Sequence, residues 1–355
     1  MQASQTPTLV PLAFAANGTK NTIPEASQIG ITPGAASLND GFPPLTFTPV
    51  AAGGIPPAGA DFNGILNLLS QTIRWKNAGG QFGYNSAFAN DTNVGGYPKG
   101  ALLLKSGGNG FWLCTADNNT TNPDSGGANW VDPFAGRYLG SQNIVSSGTY
   151  TPGTYNGVTA TKARFRGAAP GGAGGGGVAT SSGQASAGAG GNAGNPFEFW
   201  VVSGLAAMTI TMGAPGTGVL ASAGNAGGDI IIGSIAVIKG GKGGGAGGVV
   251  GSFPTFNSLN NTQNAASTIA SAAGMTLAGI FNGIGQMGDI ATLMSISSIR
   301  PGPGGFAYGG SSPSGVVGVT SGFSIGGVGA LNTGASSGST GNTGGSGYLI
   351  IDEYA

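Results

Sequence analysis

The sequence GGAGGGG, at residues 171–177, is the first of a series of glycine-rich stretches in this chain. Short apolar segments alternate with the stretches, for example IIIGSIAVI at 230–238. The chain after residue 167 therefore repeats a strand-like segment followed by a glycine run. The later runs lie at 188–191, 240–248, 302–305 and 343–347.

A glycine run of this kind is compatible with three structures. Flexible linkers are commonly glycine-rich. Collagen needs glycine at every third position, and these runs keep no such period. The third structure is a packed bundle of extended three-fold helices, in which only glycine lets neighbouring backbones approach closely. Because ordering glycine costs entropy, such a bundle needs flanking strands, and the sequence has them. We favour the bundle and keep loops or linkers as the alternative.

The composition limits the classes of function. The 355 residues carry a formal net charge of +0, which gives no broad basic face for nucleic acid. With 39% hydrophobic and 7% charged residues, the chain does not have the composition of a disordered tail. It has no apolar run of about 18 residues, so we expect no membrane insertion. It has no histidine, which removes the commonest general base and metal ligand, and Cys114 is the only cysteine. We expect no enzymatic activity, no cofactor and no metal.

The composition also divides the chain. About two thirds of the 74 glycines follow residue 167, whereas most charged residues precede it. We predict a mainly β fold with an irregular N-terminal arm, one short helix, and a C-terminal polyglycine II helix bundle flanked by short strands. The predicted domains are an attachment arm with the helix at 1–80, a small β domain at 81–140, connecting strands at 141–166, and a glycine-rich tip domain at 167–355.

The clearest helix is DFNGILNLLSQTIRWK, at residues 61–76. Asp61 is a plausible N-cap, Lys76 suits the C-terminal end, and two glycines follow. This helix could pack against a partner chain or form part of an ordinary core. Its apolar residues recur at helical spacing, at Phe62, Ile65, Leu66, Leu69 and Ile73.

The predicted small β domain contains three aromatic residues of interest, Tyr97, Trp112 and Trp130. They could form a saccharide-stacking platform, or they could form a small hydrophobic core. The loop at 117–125, DNNTTNPDS, lacks the glycine and the closing glutamate of a calcium loop, so we predict no metal there.

Three N-terminal phrases carry a family resemblance. They are LAFAANGTKNTIP at 12–24, GAASLNDGFPPLTFTPVAAGGIPP at 34–57 and DFNGILNLLSQTIRWKNAGGQF at 61–82. Together they resemble the N-terminal part of tail fibre proteins of tailed phages and prophages of Gram-negative bacteria. The half that runs from SGTYTP at 147–152 to GYLIIDEYA resembles the glycine-rich tips of phage fibres and adhesins, which are built on polyglycine-helix sandwiches.

The resemblance implies a homotrimeric fibre of the virion, made in the cytoplasm of the host bacterium. Its N-terminus would attach to a baseplate or tail protein. Its glycine-rich tip would recognise a bacterial surface receptor, which could be a polysaccharide, an outer-membrane protein or a pilus. Two alternatives stay open. One is a tail depolymerase that cleaves polysaccharide with paired carboxylates. The other is a structural spacer that does not contact the receptor.

Residues 252–300 interrupt the rhythm of strands and glycine runs and show no familiar pattern. Because insertions in a rigid scaffold often carry binding function, we place the receptor site on this segment and the loop after it. A locally folded cap that buries the same side chains is the alternative. Aromatic and arginine side chains are the usual anchors of binding sites. The predicted anchors are Phe253, Phe256, Phe281, Met287, Arg300, Phe306 and Tyr308.

Overall fold

A computed structural model describes residues 7–256, 262–306 and 322–355. The chain divides into two compact units, Met1–Pro133 and Phe134–Ala355. The division lies well before the change of composition at residue 167. This difference arises because the predicted connecting strands at 141–166 belong to the sheets of the second unit.

Over its described residues, 7–133, the first unit contains two helices and one small sheet. The sheet is antiparallel and has three strands, which are hydrogen-bonded to one another in chain order. Short 3-10 turns occur at Pro44–Phe47, Val50–Ala52 and Pro123–Ser125. The regular elements are α1 (Gly59–Asn77), α2 (Ser86–Ala89), β1 (Leu102–Leu104), β2 (Phe111–Cys114) and β3 (Trp130–Val131).

Helix α1 is the helix that the sequence predicts, but its N-terminus differs. Ala58 occupies the N-cap position, so the prediction that Asp61 caps the helix is wrong. Asp61 instead lies in the first turn, where it is buried and accepts hydrogen bonds from the backbone N–H of Ala36 (3.0 Å) and the side chain of Asn21 (2.6 Å). The carboxylate thus accepts hydrogen bonds from the N-terminal arm, and its negative charge also interacts favourably with the positive end of the helix dipole.

Helix α1 buries its polar side and exposes its apolar side. Asn67 is buried and donates to the backbone oxygen of Phe14 (2.6 Å), and Asn63 donates to that of Thr19 (2.7 Å). The arm before the helix therefore rests on the polar face of this helix. The large apolar residues of α1 face outward and are 43 to 55% exposed, namely Phe62, Leu66, Leu68, Leu69, Ile73 and Trp75.

The second unit is mainly β, as predicted. Its strands are β4 (Tyr138–Ile144), β5 (Gly148–Tyr150), β6 (Thr154–Tyr155), β7 (Val158–Thr159), β8 (Lys162–Ala168), β9 (Ala185–Ala187), β10 (Pro196–Ser203), β11 (Met208–Met212), β12 (Ile230–Ile232), β13 (Ala236–Ile238), β14 (Thr255–Phe256), β15 (Thr268–Ile269), β16 (Thr276–Asn282), β17 (Thr292–Ser295), β18 (Ser298–Arg300), β19 (Leu331–Thr333) and β20 (Tyr348–Tyr354).

Two five-stranded antiparallel sheets dominate this unit. Their orders are β16-β10-β8-β20-β4 and β15-β13-β12-β11-β5. Alternate residues of β8, β10 and β12 are buried, and both sheets contribute side chains to one shared hydrophobic core, as half-buried strands require. Phe165 and Phe199 stack in that core with ring centroids 5.1 Å apart. The first sheet also contributes Phe197, Leu349 and Ile351, and the second contributes Tyr150, Ile210, Ile230, Ile232 and Ile238.

The glycine-rich stretches are joined to one another by backbone hydrogen bonds. From residue 171 to 177, successive N–H groups donate in rotation to three different stretches, and the rotation repeats every third residue. Residues 188–195 do the same with three further sets of acceptors. Such pairing is not the behaviour of a flexible linker. The acceptors of Gly171 to Gly176 are, in order, the backbone oxygens of Gly345, Asn192, Asn225, Asn342, Ala189 and Ser222.

Residues 252–300 are more regular than the sequence indicates. They contain strands β14 to β18, and β15 and β16 form edges of the two large sheets. The stretch after β16 accepts hydrogen bonds from the N–H groups of Gly190 and Ala193 through Asp289 and Gln286. The segment is therefore part of the scaffold. In the stretch at 285–291 only every third residue is small, namely Gly285, Gly288 and Ala291, so the sequence does not show a glycine run there.

One buried carboxylate joins the C-terminal strand to its neighbours. Glu353 is fully buried and accepts hydrogen bonds from Tyr155 (2.5 Å), Tyr150 (2.8 Å), the backbone of Gly153 (2.8 Å) and Gln142 (3.1 Å). Burial alone would raise the pKa of Glu353, but these hydrogen bonds outweigh it and hold the pKa below its ordinary value. The bond to Glu353 is the main cause that raises the pKa of Tyr155 to about 12.

The glycine contacts predict a large difference between two alanine substitutions. A Cβ on Gly175 would lie closer than 3.0 Å to the backbone of Gly244 and Gly245, which cannot move aside freely. A Cβ on Gly248 would meet nothing within 4 Å. We expect Gly175→Ala to destabilise the protein by about 3 kcal/mol or more in denaturant unfolding, with Gly248→Ala as the neutral control. Equal stability of the two variants would contradict close backbone packing at Gly175.

The Glu353 cluster predicts acid sensitivity. Because the folded-state pKa of Glu353 is lowered, its stabilisation is present above the ordinary glutamate pKa of about 4.3 and is lost as the pH falls through the folded value. We expect Glu353→Gln to lower the melting temperature at pH 7 and to flatten the decline between neutral and acidic pH. Glu25→Gln, at an exposed carboxylate of the first unit, is the control. An unchanged pH profile for Glu353→Gln would contradict this role.

Candidate functional site

The predicted receptor anchors fall into different environments. Phe281, Met287 and Phe306 are exposed, at 51, 41 and 45%. Arg300 is also exposed, on β18. Phe253 instead packs against the buried cluster that contains Ala291 and Leu293, so it is a core contact and not a free anchor. Phe256 ends strand β14, and Tyr308 lies outside the described residues.

The stretch at 283–291, GIGQMGDIA, has two different faces. A Cβ on Gly285 or Gly288 would collide with the backbone of residues 190–194, so these positions face the neighbouring glycine run. Ala291 continues this side and is fully buried. The residues that precede them by one position point outward. They are Ile284, Met287 and Ile290, which are 49, 41 and 42% exposed.

These three side chains form an apolar ridge, which we call the 284/287/290 ridge. Its members recur every third residue, so an extended three-fold backbone would separate them by roughly 9 Å. Phe306 lies beside this stretch, because its backbone N–H donates to the side-chain oxygen of Gln286 (3.2 Å). The ridge joins one predicted anchor, Met287, with two isoleucines that the sequence reasoning did not select, and a second predicted anchor, Phe306, lies beside it.

A second surface lies on the outer face of the first large sheet. Strand β8 contributes Arg164 and Arg166, and the flanking strands contribute Glu198 and Asp352. Each arginine pairs diagonally with one acid: Arg164 with Glu198 at 2.6 Å, and Arg166 with Asp352 at 2.9 Å. This charged quartet has no net charge.

The electrostatics of the quartet follow from these pairs. Hydrogen bonds to Glu198 and Asp352 raise the pKa values of Arg164 and Arg166 respectively. For Asp352, burial acts to raise the pKa, but hydrogen bonds from Arg166 and Ser141 outweigh it and lower the pKa below its ordinary value. Asp352 is therefore a stable anion, which is the opposite of what a general acid needs.

Aromatic rings lie next to the quartet. Trp200 contacts Tyr354 with centroids 5.0 Å apart, and Tyr354 contacts Tyr138 at 5.7 Å. On the other side of the quartet, a cavity of 420 Å³ opens beside β16. Its walls include Arg164, Arg166, Glu198, Pro196, Phe281 and Tyr348. Phe281 is thus shared between the predicted receptor anchors and this cavity.

The three aromatic residues predicted as a saccharide platform belong to a small core of the first unit. Tyr97 and Trp130 are only 8 and 9% exposed and meet edge to face, with centroids 5.8 Å apart. Trp112 is half-buried, carries Lys105 over its ring and donates to Asp124 (2.8 Å). The three rings therefore do not form an exposed saccharide platform. They instead belong to a small hydrophobic core, which was the alternative interpretation and which also contains Cys114.

Some of the important residues could have been found from sequence, and others could not. The period-three pattern of Ile284, Met287 and Ile290 is visible in the sequence. The sequence also indicates that Arg164 and Arg166 share one strand face. It does not show that Glu198 and Asp352 lie on the two flanking strands, because those pairings join residues far apart in the chain.

Nothing in the described residues, 7–256, 262–306 and 322–355, gathers three or more metal-ligating side chains into one site. Among the helices of the same residues, none is long and apolar enough to span a membrane. No family model matches the chain, and comparison with curated proteins finds no match.

Proposed function

We propose that this protein is a fibre protein of a phage tail that attaches to the virion through its N-terminal unit and binds a bacterial surface receptor through its glycine-rich unit. The observation that carries the proposal is the 284/287/290 ridge. Three large aliphatic side chains project from a scaffold stretch whose other face is packed, and nothing in the core needs them there. Exposed apolar groups of this kind mark binding surfaces.

The glycine-rich scaffold is a polyglycine II helix bundle in this proposal. A three-fold extended helix points successive N–H groups in three directions, which accounts for the rotation of acceptors at residues 171–177 and 188–195. The close approach of glycines to neighbouring carbonyl oxygens supports the same interpretation. Such a scaffold holds the ridge rigid, so little conformational entropy is lost when a receptor binds.

The proposed assembly is a homotrimer in which copies of α1 pack together. The exposed residues Phe62, Leu66, Leu69 and Ile73 are spaced by four, three and four residues, which is the seam of a coiled coil. The opposite face of α1 already carries the N-terminal arm. Further copies of the same helix would cover the seam. The trimer would then dock to a baseplate or tail protein, and three receptor sites on one fibre would act by avidity.

Adhesion is favoured over the two alternatives. A depolymerase needs one carboxyl group with a raised pKa, whereas the pKa of Asp352 is lowered and Glu198 is paired with Arg164. A pure spacer would have no reason to expose the ridge. Release of reducing sugar from host polysaccharide by the purified chain would favour the depolymerase. Adsorption that survives loss of the ridge would favour the spacer.

Substitutions at two adjacent leucines of α1 test the proposed trimer interface. We expect the parent chain to be trimeric by light scattering at micromolar concentration. Leu69→Gln, in the seam, should raise the concentration at which the trimer dissociates by about tenfold or more, since it places an amide in an apolar interface. Leu68→Gln is the matched control, because Leu68 is comparably exposed but lies outside the seam. A monomeric parent, or equal effects of the two substitutions, would reject this interface.

The receptor site predicts a loss of adsorption. Particles that carry Met287→Ser or Phe306→Ala should bind host cells more weakly by about 2 kcal/mol per site, roughly thirtyfold, because each loses an exposed apolar anchor. Leu220→Ser is the control, since Leu220 is 57% exposed and outside residues 276–306. Melting temperatures check that each variant folds. Parent-like adsorption of both Met287→Ser and Phe306→Ala would contradict the proposed receptor site.

A further inference from the structure

The cavity beside β16 has the composition of a small-molecule site, although the chain as a whole carries little charge. Four charged side chains meet on one sheet face, and two arginines and one glutamate of that quartet form part of the cavity wall. A ring from Phe281 and one from Tyr348 complete the wall with Pro196. Its volume of 420 Å³ lies within the range of ligand pockets.

The backbone fixes this arrangement. Across the sheet, Phe281 lies opposite Glu198, and Glu198 lies opposite Arg166. Directly paired residues of neighbouring strands present their side chains on the same face, so these three groups form one row. The row is anchored by the two ion pairs, which hold the guanidinium and carboxylate groups in place before a ligand arrives. Preorganised polar groups lose little entropy on binding.

The polar groups of the wall still have hydrogen-bonding capacity. Arg166 uses its Nε to pair with Asp352, and its side chain is 42% exposed. Arg164 pairs with Glu198 through one terminal guanidinium nitrogen, and its side chain is 33% exposed, whereas its Nε is buried without a partner. Glu198 is 32% exposed and accepts from Arg164 through one of its oxygens. The wall thus offers donors and an acceptor side by side.

The charge of the wall indicates the class of ligand. Two arginines and one glutamate line the cavity, but Arg166 is also paired with Asp352 at 2.9 Å, so the quartet as a whole is electrically neutral and gives no strong preference for an anion. A hydroxyl group both donates and accepts, so a pair of adjacent sugar hydroxyls matches an arginine next to a carboxylate. An aromatic ring provides an apolar surface for the C–H face of a sugar ring. We propose that the cavity formed by β8, β10, β16 and β20 binds a neutral saccharide unit.

This site is distinct from the 284/287/290 ridge and does not depend on the fibre role. A phosphate or acidic sugar would meet Glu198 as well as the arginines. Neutral hexoses and N-acetylhexosamines avoid that repulsion. The residues that bind are Arg164, Arg166 and Glu198 through hydrogen bonds and Phe281 through its ring.

The test uses the purified full chain with a panel of methyl glycosides of neutral hexoses and N-acetylhexosamines, and with glucuronate and inorganic phosphate as acidic probes. Ligand-observed saturation-transfer NMR at millimolar sugar detects binding, and titration gives the dissociation constant. We expect at least one neutral glycoside to bind more tightly than either acidic probe. Absence of saturation transfer from every neutral glycoside, or binding of the acidic probes only, would overturn the proposal.

Variants locate the binding site. Phe281→Ala should weaken glycoside binding by about tenfold, and Arg166→Lys, which keeps the charge but loses the planar fork, should weaken it by about fivefold or more. Phe306→Ala is the matched control, because it removes a similarly exposed phenylalanine outside the cavity. Parent-like glycoside binding by Phe281→Ala would reject this cavity as the site. Phe306→Ala should retain glycoside binding even where it reduces adsorption. A failure of the saccharide proposal can therefore be distinguished from a failure of the proposed receptor site.

Discussion

The glycine-rich unit depends on backbone segments that approach one another more closely than a side chain would allow. At Gly171, Gly174 and Gly175 the place of a Cβ is already taken by carbonyl groups of neighbouring stretches. This approach lets residues 171–177 and 188–195 pair their N–H groups with three neighbours each. The interior of the glycine-rich stretches is thus held by satisfied backbone groups, whereas a hydrophobic core holds the two sheets. Ordering so much glycine costs entropy, so the arrangement needs an external template.

The two sheets supply that template. Strand β8 leads directly into residues 170–177, strand β10 follows residues 188–195, and strand β20 follows residues 339–347. These three strands are neighbours in one sheet, so the stretches attached to them begin side by side. The pairing then continues beyond the sheet in steps of three residues: Ala169 donates to Asn195, Gly172 to Asn192 and Gly175 to Ala189. The two packed sheets set the hydrogen-bond register between neighbouring strands. Glycine then allows the same register to continue into the stretches beyond the sheet.

This dependence explains what the sequence could and could not predict. Helix α1 and the alternation of strands with glycine runs are local patterns, and both were visible. The stretch at 283–291 was missed because it needs a small residue only where it faces residues 188–195, and larger polar and apolar residues, such as Gln286 and Met287, occupy the positions between. The N-cap assignment of Asp61 was wrong because the donors that it satisfies come from the N-terminal arm. Long-range pairing decided each of these outcomes, and single-sequence patterns do not report it.

The same reasoning applies to the two proposed binding surfaces. A strand pattern placed Arg164 and Arg166 on one face, but their acidic partners come from residues 34 and 186 positions away in sequence. Because these pairs cancel, neither the quartet nor the uncharged ridge creates a field that could steer a partner from a distance. Affinity must then come from shape, apolar contact and fixed hydrogen bonds at short range. Such interactions are weak singly, and they gain most from a rigid scaffold and from repetition. An assembly of identical chains, each with a ridge and a preorganised cavity, meets both conditions.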